Sequence, residues 1–128
     1  MITTNNELLQ LLDRLYREDA AENITLQNCA PGEYLCEQGR NVRNVVVIRR
    51  GIAKSFHIEE NTKKYILFIH GIGQIFGDWE ALGHIQLFQN SVVTMTHTEF
   101  YKMPVRTFLH LCDTNPKFWG QRKNLRDS

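Results

Sequence analysis

Gly71-Ile-Gly-Gln-Ile-Phe-Gly-Asp78, continuing as Trp79-Glu-Ala-Leu-Gly-His-Ile-Gln-Leu-Phe-Gln-Asn-Ser-Val-Val-Thr94, is the stretch on which the reading of this chain turns. Gly71, Gly73 and Gly77 mark turns in which the backbone must pass close to something or adopt a conformation that side chains resist. The acidic segment after them, Trp79–Leu82, reads as a short helix. Backbone N–H groups at a helix start, set behind a glycine turn, suit an anion. The pattern then lacks its counterpart, because there is no Lys or Arg between Lys64 and Lys102. Only His70, His84 and His97 could carry positive charge in that interval.

Working outward, the chain from Ile24 to Met103 has a period of two. Short runs rich in β-branched and aromatic residues predict strands at Thr25–Cys29, Tyr34–Cys36, Val45–Arg50, Ile52–Glu59, Lys64–Ile69, Ile75–Phe76, Ser91–Thr96 and Glu99–Pro104. Pro31-Gly32, Gly39, Gly51 and Asn61 punctuate them. Short strands at this spacing predict a mainly β fold, a jelly-roll barrel over residues 24–104. On the N-terminal side, Leu8, Leu11, Leu12, Leu15 and Tyr16 recur at helical intervals, with Asp13, Arg14 and Arg17 on the opposite side. This predicts an amphipathic helix over residues 5–20, and Thr4 and Glu7 have capping-box spacing at its start. Val105–Cys112 returns to helical character, and Asn115-Pro116 reads as the opening of a further helix through 128 that is cut short. Residues 105–128 are thus expected to be C-terminal helices, and residues 1–128 a single domain.

Composition excludes several classes. With 15 basic and 14 acidic side chains the net charge is +1, so no bulk charge points to a polyanion. Arg40, Arg43, Arg49 and Arg50, and Lys117, Arg122, Lys123 and Arg126, read as solvated faces. No segment approaches the ~20 apolar residues of a spanning helix, and the start is not that of a secretion signal. The expectation is a soluble, cytoplasmic chain that engages no membrane. Cys29, Cys36 and Cys112 are odd in number and widely spaced, which fits buried thiols rather than disulfides or a metal site. The histidines show no HxH or HxxxH pair, and a lone His is ordinarily a hydrogen-bonded or surface residue. Phe56, Tyr65, Phe68, Phe76, Phe100 and Tyr101 read as core. No catalytic constellation is present, so the chain is read as a non-enzyme with no metal and no cofactor.

Helix, eight short strands, then helices is an order that resembles the cyclic-nucleotide-binding domain. Pro31-Gly32-Glu33 resembles that family's turn before its second strand, and Glu37-Gln38-Gly39 the turn that follows. Val46–Ala53 resembles its hairpin, and Gly71–Asp78 the G-x-x-F-G-E turn leading into its ligand site. Four such motifs in order over residues 24–112 most resemble the sensor domain of CRP/FNR-type bacterial transcription regulators. The resemblance implies a ligand-sensing domain that pairs with a second copy through the long helix starting at Pro116. It also implies DNA binding through a helix-turn-helix domain not contained in these residues. A regulatory module of a kinase, channel or transporter would share the same domain.

In that family an Arg about ten residues beyond the turn holds the cyclic phosphate by a charge-assisted contact. The matching position here is Phe88, and Gln86, Leu87, Gln89 and Asn90 around it offer no cation either. The resemblance therefore assigns Phe76, Gly77, Asp78, Trp79, Phe88, Gln89 and Asn90 to the ligand site, with Asp78 at the ribose-acceptor position. A phosphate without its cation forfeits about 1.5–3 kcal/mol, a ten- to hundredfold loss or more. Tight binding of cyclic AMP or cyclic GMP is therefore not expected. The expected occupant is an unidentified small-molecule effector of another kind, with Phe88 and Trp79 offering apolar surface. The alternatives are a site closed by its own side chains, or a haem-like group on a His.

Overall fold

The computed structural model describes residues 6–19, 23–60 and 64–115. Along the chain lie α1 (Asn6–Arg17), β1 (Thr25–Cys29), β2 (Tyr34–Cys36), β3 (Asn44–Arg50), β4 (Ala53–Ile58) and β5 (Lys64–His70). They are followed by β6 (Ile75–Phe76), α2 (Asp78–Gly83), β7 (Ser91–Thr94), β8 (Thr98–Pro104) and α3 (Val105–Thr114). All eight expected strands are present, displaced by at most two residues at an end. The capping box at Thr4 and the helix expected after Pro116 lie outside the described residues.

The strands form two antiparallel four-stranded sheets, ordered β1-β8-β3-β6 and β2-β7-β4-β5. The expected closed barrel is thus corrected to two stacked sheets that do not close on each other. The edge strands explain this. β6 has two residues and β2 three, too few to carry a ladder across to the facing sheet.

Strand alternation divides the apolar residues between two layers. Val45, Val47, Tyr101 and Met103 point outward from the first sheet. They are covered by Leu8, Leu11, Leu12 and Leu15 of α1 and by Phe108, Leu111 and Cys112 of α3. Ile48 points inward and meets Cys36, Ala53 and Val92 of the second sheet, with Leu35, Phe76 and Phe88 packed around them. A cleft opens at the margin of this thinner inner layer.

Four expectations about surfaces and burial need correction. Asp13 is not on a solvated face, because it accepts hydrogen bonds from the Tyr101 hydroxyl and from Arg49 Nε at 3.0 Å. Arg49, expected on a solvated face, also donates from Nη1 to Glu99 at 2.7 Å and is largely covered. Its guanidinium is held charged well above the ordinary range by the hydrogen bonds it donates to Asp13 and Glu99. Cys36 and Cys112 are buried free thiols as expected, but Cys29 is half-buried. Phe68, read as core, is 65% exposed, whereas Phe56, Phe100 and Tyr101 are buried.

Candidate functional site

The glycine turn forms because Gly77 sits at φ 88° and ψ −8°, in the left-handed region, as the residue preceding α2. A Cβ there would lie 2.8 Å from the Asn44 carbonyl oxygen, so a side chain would be both strained and obstructed. The turn thereby presses the start of α2 against β3. α2 is six residues long and ends at His84, also left-handed, with the Ile85 N–H donating to Glu80 O at 2.9 Å. Asp78 is buried on the inner side of this helix and Trp79 is 55% exposed on the outer side.

Opposite the turn, Phe88 is fixed by its backbone. Its N–H donates to Arg40 O at 3.0 Å, and its carbonyl accepts from the Gly39 N–H at 2.9 Å. Its ring edge stands 3.5 Å from where a Gly77 Cβ would be. Glu80 reaches across to accept the Gln89 N–H at 3.3 Å, tying α2 to the facing loop. The Gln89 side-chain amide folds back to donate to Leu87 O at 2.9 Å, and the Gln89 backbone carbonyl oxygen lies 2.9 Å from His57 Nδ1.

Between these walls lies a cavity of about 410 Å³. All seven residues singled out in the sequence (Phe76, Gly77, Asp78, Trp79, Phe88, Gln89 and Asn90) line it. So do residues that sequence reasoning missed. Ser55 and His70 form one wall, Leu67, Phe68 and Ile85 form the rim, and Cys36 and Val92 lie deeper.

The missed wall depends on how β4 pairs with β5. Ser55 pairs with Phe68 and Phe56 with Ile66, so Leu67 is an extra residue in the β5 strand. This bulge interrupts alternation and lets consecutive residues, Leu67 and Phe68, both reach the cavity. Beyond the bulge, His70 Nε2 lies 2.9 Å from Ser55 Oγ, and Nδ1 lies 3.1 Å from Gln74 Oε1. The ring is also met edge-on by Phe76, with centroids 4.8 Å apart at 85°. Burial pushes the imidazole below its ordinary 6.5, partly offset by the Gln74 hydrogen bond. The neutral ring therefore donates from Nδ1 to Gln74 and accepts the Ser55 hydroxyl proton at Nε2. Spacing along the chain could not disclose this, since 15 residues separate Ser55 from His70.

Electrostatically the cavity is one-sided. No Lys or Arg lines it among the described residues, while Asp78 and Glu80 do. The Cys36 thiol is raised well above its ordinary value by burial and by the nearby Glu80 and Asp78 carboxylates, so it stays protonated and unreactive. The arrangement can hold a flat apolar body against Phe76, Phe88 and Trp79. Around it are hydrogen-bonding groups and carboxylates, but no cation to receive a phosphate.

Two stacked antiparallel sheets, with helices over one outer face, thus frame a cleft beside a glycine turn. The chain belongs to the cyclic nucleotide-binding domain family, whose model matches residues 26–115. Among curated proteins no sequence match was found. Among solved structures it is similar to the Thermus thermophilus catabolite activator protein, at 17% identity and a TM-score of 0.75. That match covers 96% of this chain and 54% of the other. It is also similar to the sensor domain of the transcriptional regulator DNR from Pseudomonas aeruginosa, at 13% identity and TM-score 0.70, covering 81% and 70% of the two chains. A third similar structure is the regulatory subunit of a cAMP-independent protein kinase A from Trypanosoma brucei, at 17% identity and TM-score 0.72. There the match covers 92% of this chain and 45% of the other. The chain spans about half the length of the first solved structures it matches.

Proposed function

We propose that this chain is the effector-sensing domain of a CRP/FNR-type transcription regulator, and that its effector is not a cyclic nucleotide held by its phosphate. The observation that carries the second half is the charge of the cleft. Asp78 and Glu80 line it without a Lys or Arg among the described residues, and His70 is held neutral. A phosphodiester placed against Gly77 would exchange water for carboxylates. An uncharged or cationic effector with a planar apolar body would meet complementary surroundings instead. Phe76, Gly77, Asp78, Trp79, Phe88, Gln89 and Asn90 are its proposed contacts. In this reading the cleft is a binding site and not a catalytic one. Regulation without cyclic AMP has a precedent in this fold in the Trypanosoma brucei subunit.

The regulator reading also has two copies pairing through residues 116–128, with DNA bound by a domain outside this sequence. An effector in the cleft would act by favouring one packing of those paired helices over another.

Calorimetric titration of the 128-residue chain with cyclic AMP tests the ligand reading. The native chain should show no binding tighter than about millimolar. Phe88→Arg, which restores a cation at the phosphate position, should strengthen binding about ten- to hundredfold. Micromolar affinity of the native chain would overturn the reading.

A further inference from the structure

A second, smaller cavity of about 190 Å³ lies on the far side of Phe88. Phe88 is the one residue that lines both cavities. The second cavity is bounded by Tyr34 and Leu35 of β2, by Val46, Phe100 and Lys102 of the facing sheet, and by Asn41, Arg43 and Asn44. Its charge is the reverse of its neighbour's. Arg43 and Lys102 line it, and no carboxylate does.

Lys102 is the unusual member. Lys102 pairs with Val46, and Phe100 with Ile48, in the β3–β8 ladder. Alternation therefore sends Lys102 to the inner face of its sheet, the side of Ile48 and Phe100, where apolar residues are the rule. Lys102 is half-buried as a residue, and a charged side chain directed to such a face is ordinarily paired. Neither Lys102 nor Arg43 makes an ion pair with another described residue. Asn41 and Asn44 add carboxamide groups, and Tyr34, Phe88 and Phe100 add aromatic surface. The volume is below the ~300 Å³ at which sites for larger ligands begin, which restricts the occupant to about one ring and one charged group.

We infer that this second cavity binds a small organic anion: a carboxylate or phosphate ester on a flat apolar body, with its charge between Arg43 and Lys102. The site is distinct from the larger cleft, with which it shares only Phe88 among its lining residues.

Phenyl phosphate is a suitable probe, titrated into the 128-residue chain and followed by amide NMR. Saturable shifts should centre on Arg43, Asn44, Phe100 and Lys102, with a midpoint of about 1 mM and weakening in added salt. Arg43→Met and Lys102→Met should each weaken binding about tenfold. Lys102→Arg, which keeps the charge, should retain it and serves as the control should Lys102→Met perturb the sheet. Absence of saturable shifts up to about 10 mM would overturn the proposal. So would shifts centred on Trp79 and Asp78, or affinity unchanged in both Met variants.

Discussion

Phe88 and His70 give the cleft its chemistry by what each withholds. Phe88 puts a ring at the position where the family resemblance expects an Arg, and its backbone is tied to Gly39 and Arg40 by two hydrogen bonds. His70 is held neutral by burial, between Ser55 and Gln74. Its folded-state pKa lies below the 6.5 of an unfolded chain, so at acid pH the unfolded state binds the extra proton. The stability His70 provides is therefore complete above about pH 6.5 and is lost as pH falls from there through the folded-state pKa. Urea midpoints measured from pH 8 down to about pH 5 should fall for the native chain and fall less for His70→Gln. An identical slope in the two would refute the assignment. The missing cation was legible in the sequence, because an interval without Lys or Arg survives any alignment. The Ser55–His70 contact was not, because it depends on a β-bulge that leaves no residue-type signature.

At the scale of elements, α1 is held in two ways that differ in how they could be read. Its Leu8, Leu11, Leu12 and Leu15 stripe is buried against β3, β8 and α3, and helical periodicity alone pointed to it. Its polar latch is Asp13, which accepts from Arg49 and Tyr101, 36 and 88 residues away in the chain. Only the folded register of β3 with β8 brings those donors together, so no local pattern announces them. Burial raises the Tyr101 hydroxyl's pKa well above normal, and the Asp13 carboxylate raises it further, so it remains a donor. Asp13→Ala would leave that hydroxyl without its acceptor while Arg49 kept Glu99. The expected cost is about 1–3 kcal/mol, read as a lower denaturant midpoint at unchanged slope. A loss below about 0.5 kcal/mol would show that the leucine stripe alone docks α1.

At the scale of the molecule, strand number and order were readable from turn punctuation, and the two-sheet stacking replaced the closed barrel because edge strands of two and three residues cannot bridge the sheets. The proposed pairing through residues 116–128 belongs to this scale. Sedimentation of the 128-residue chain should show a dimer at about tens of micromolar, and removal of residues 116–128 should leave a monomer. A native chain that sediments as a monomer throughout would remove dimerisation from the reading.

The shared wall at Phe88 also has a thermodynamic consequence. Occupants of two cavities that share Phe88 are coupled to the extent that either displaces that side chain, because its shift changes both cavities. Whatever factor an occupant on the Arg43 side imposes on affinity at the Trp79 side must be returned in equal measure. Where that factor exceeds one, the domain responds most when both occupants are present, as a coincidence detector; where it is below one, each occupant displaces the other.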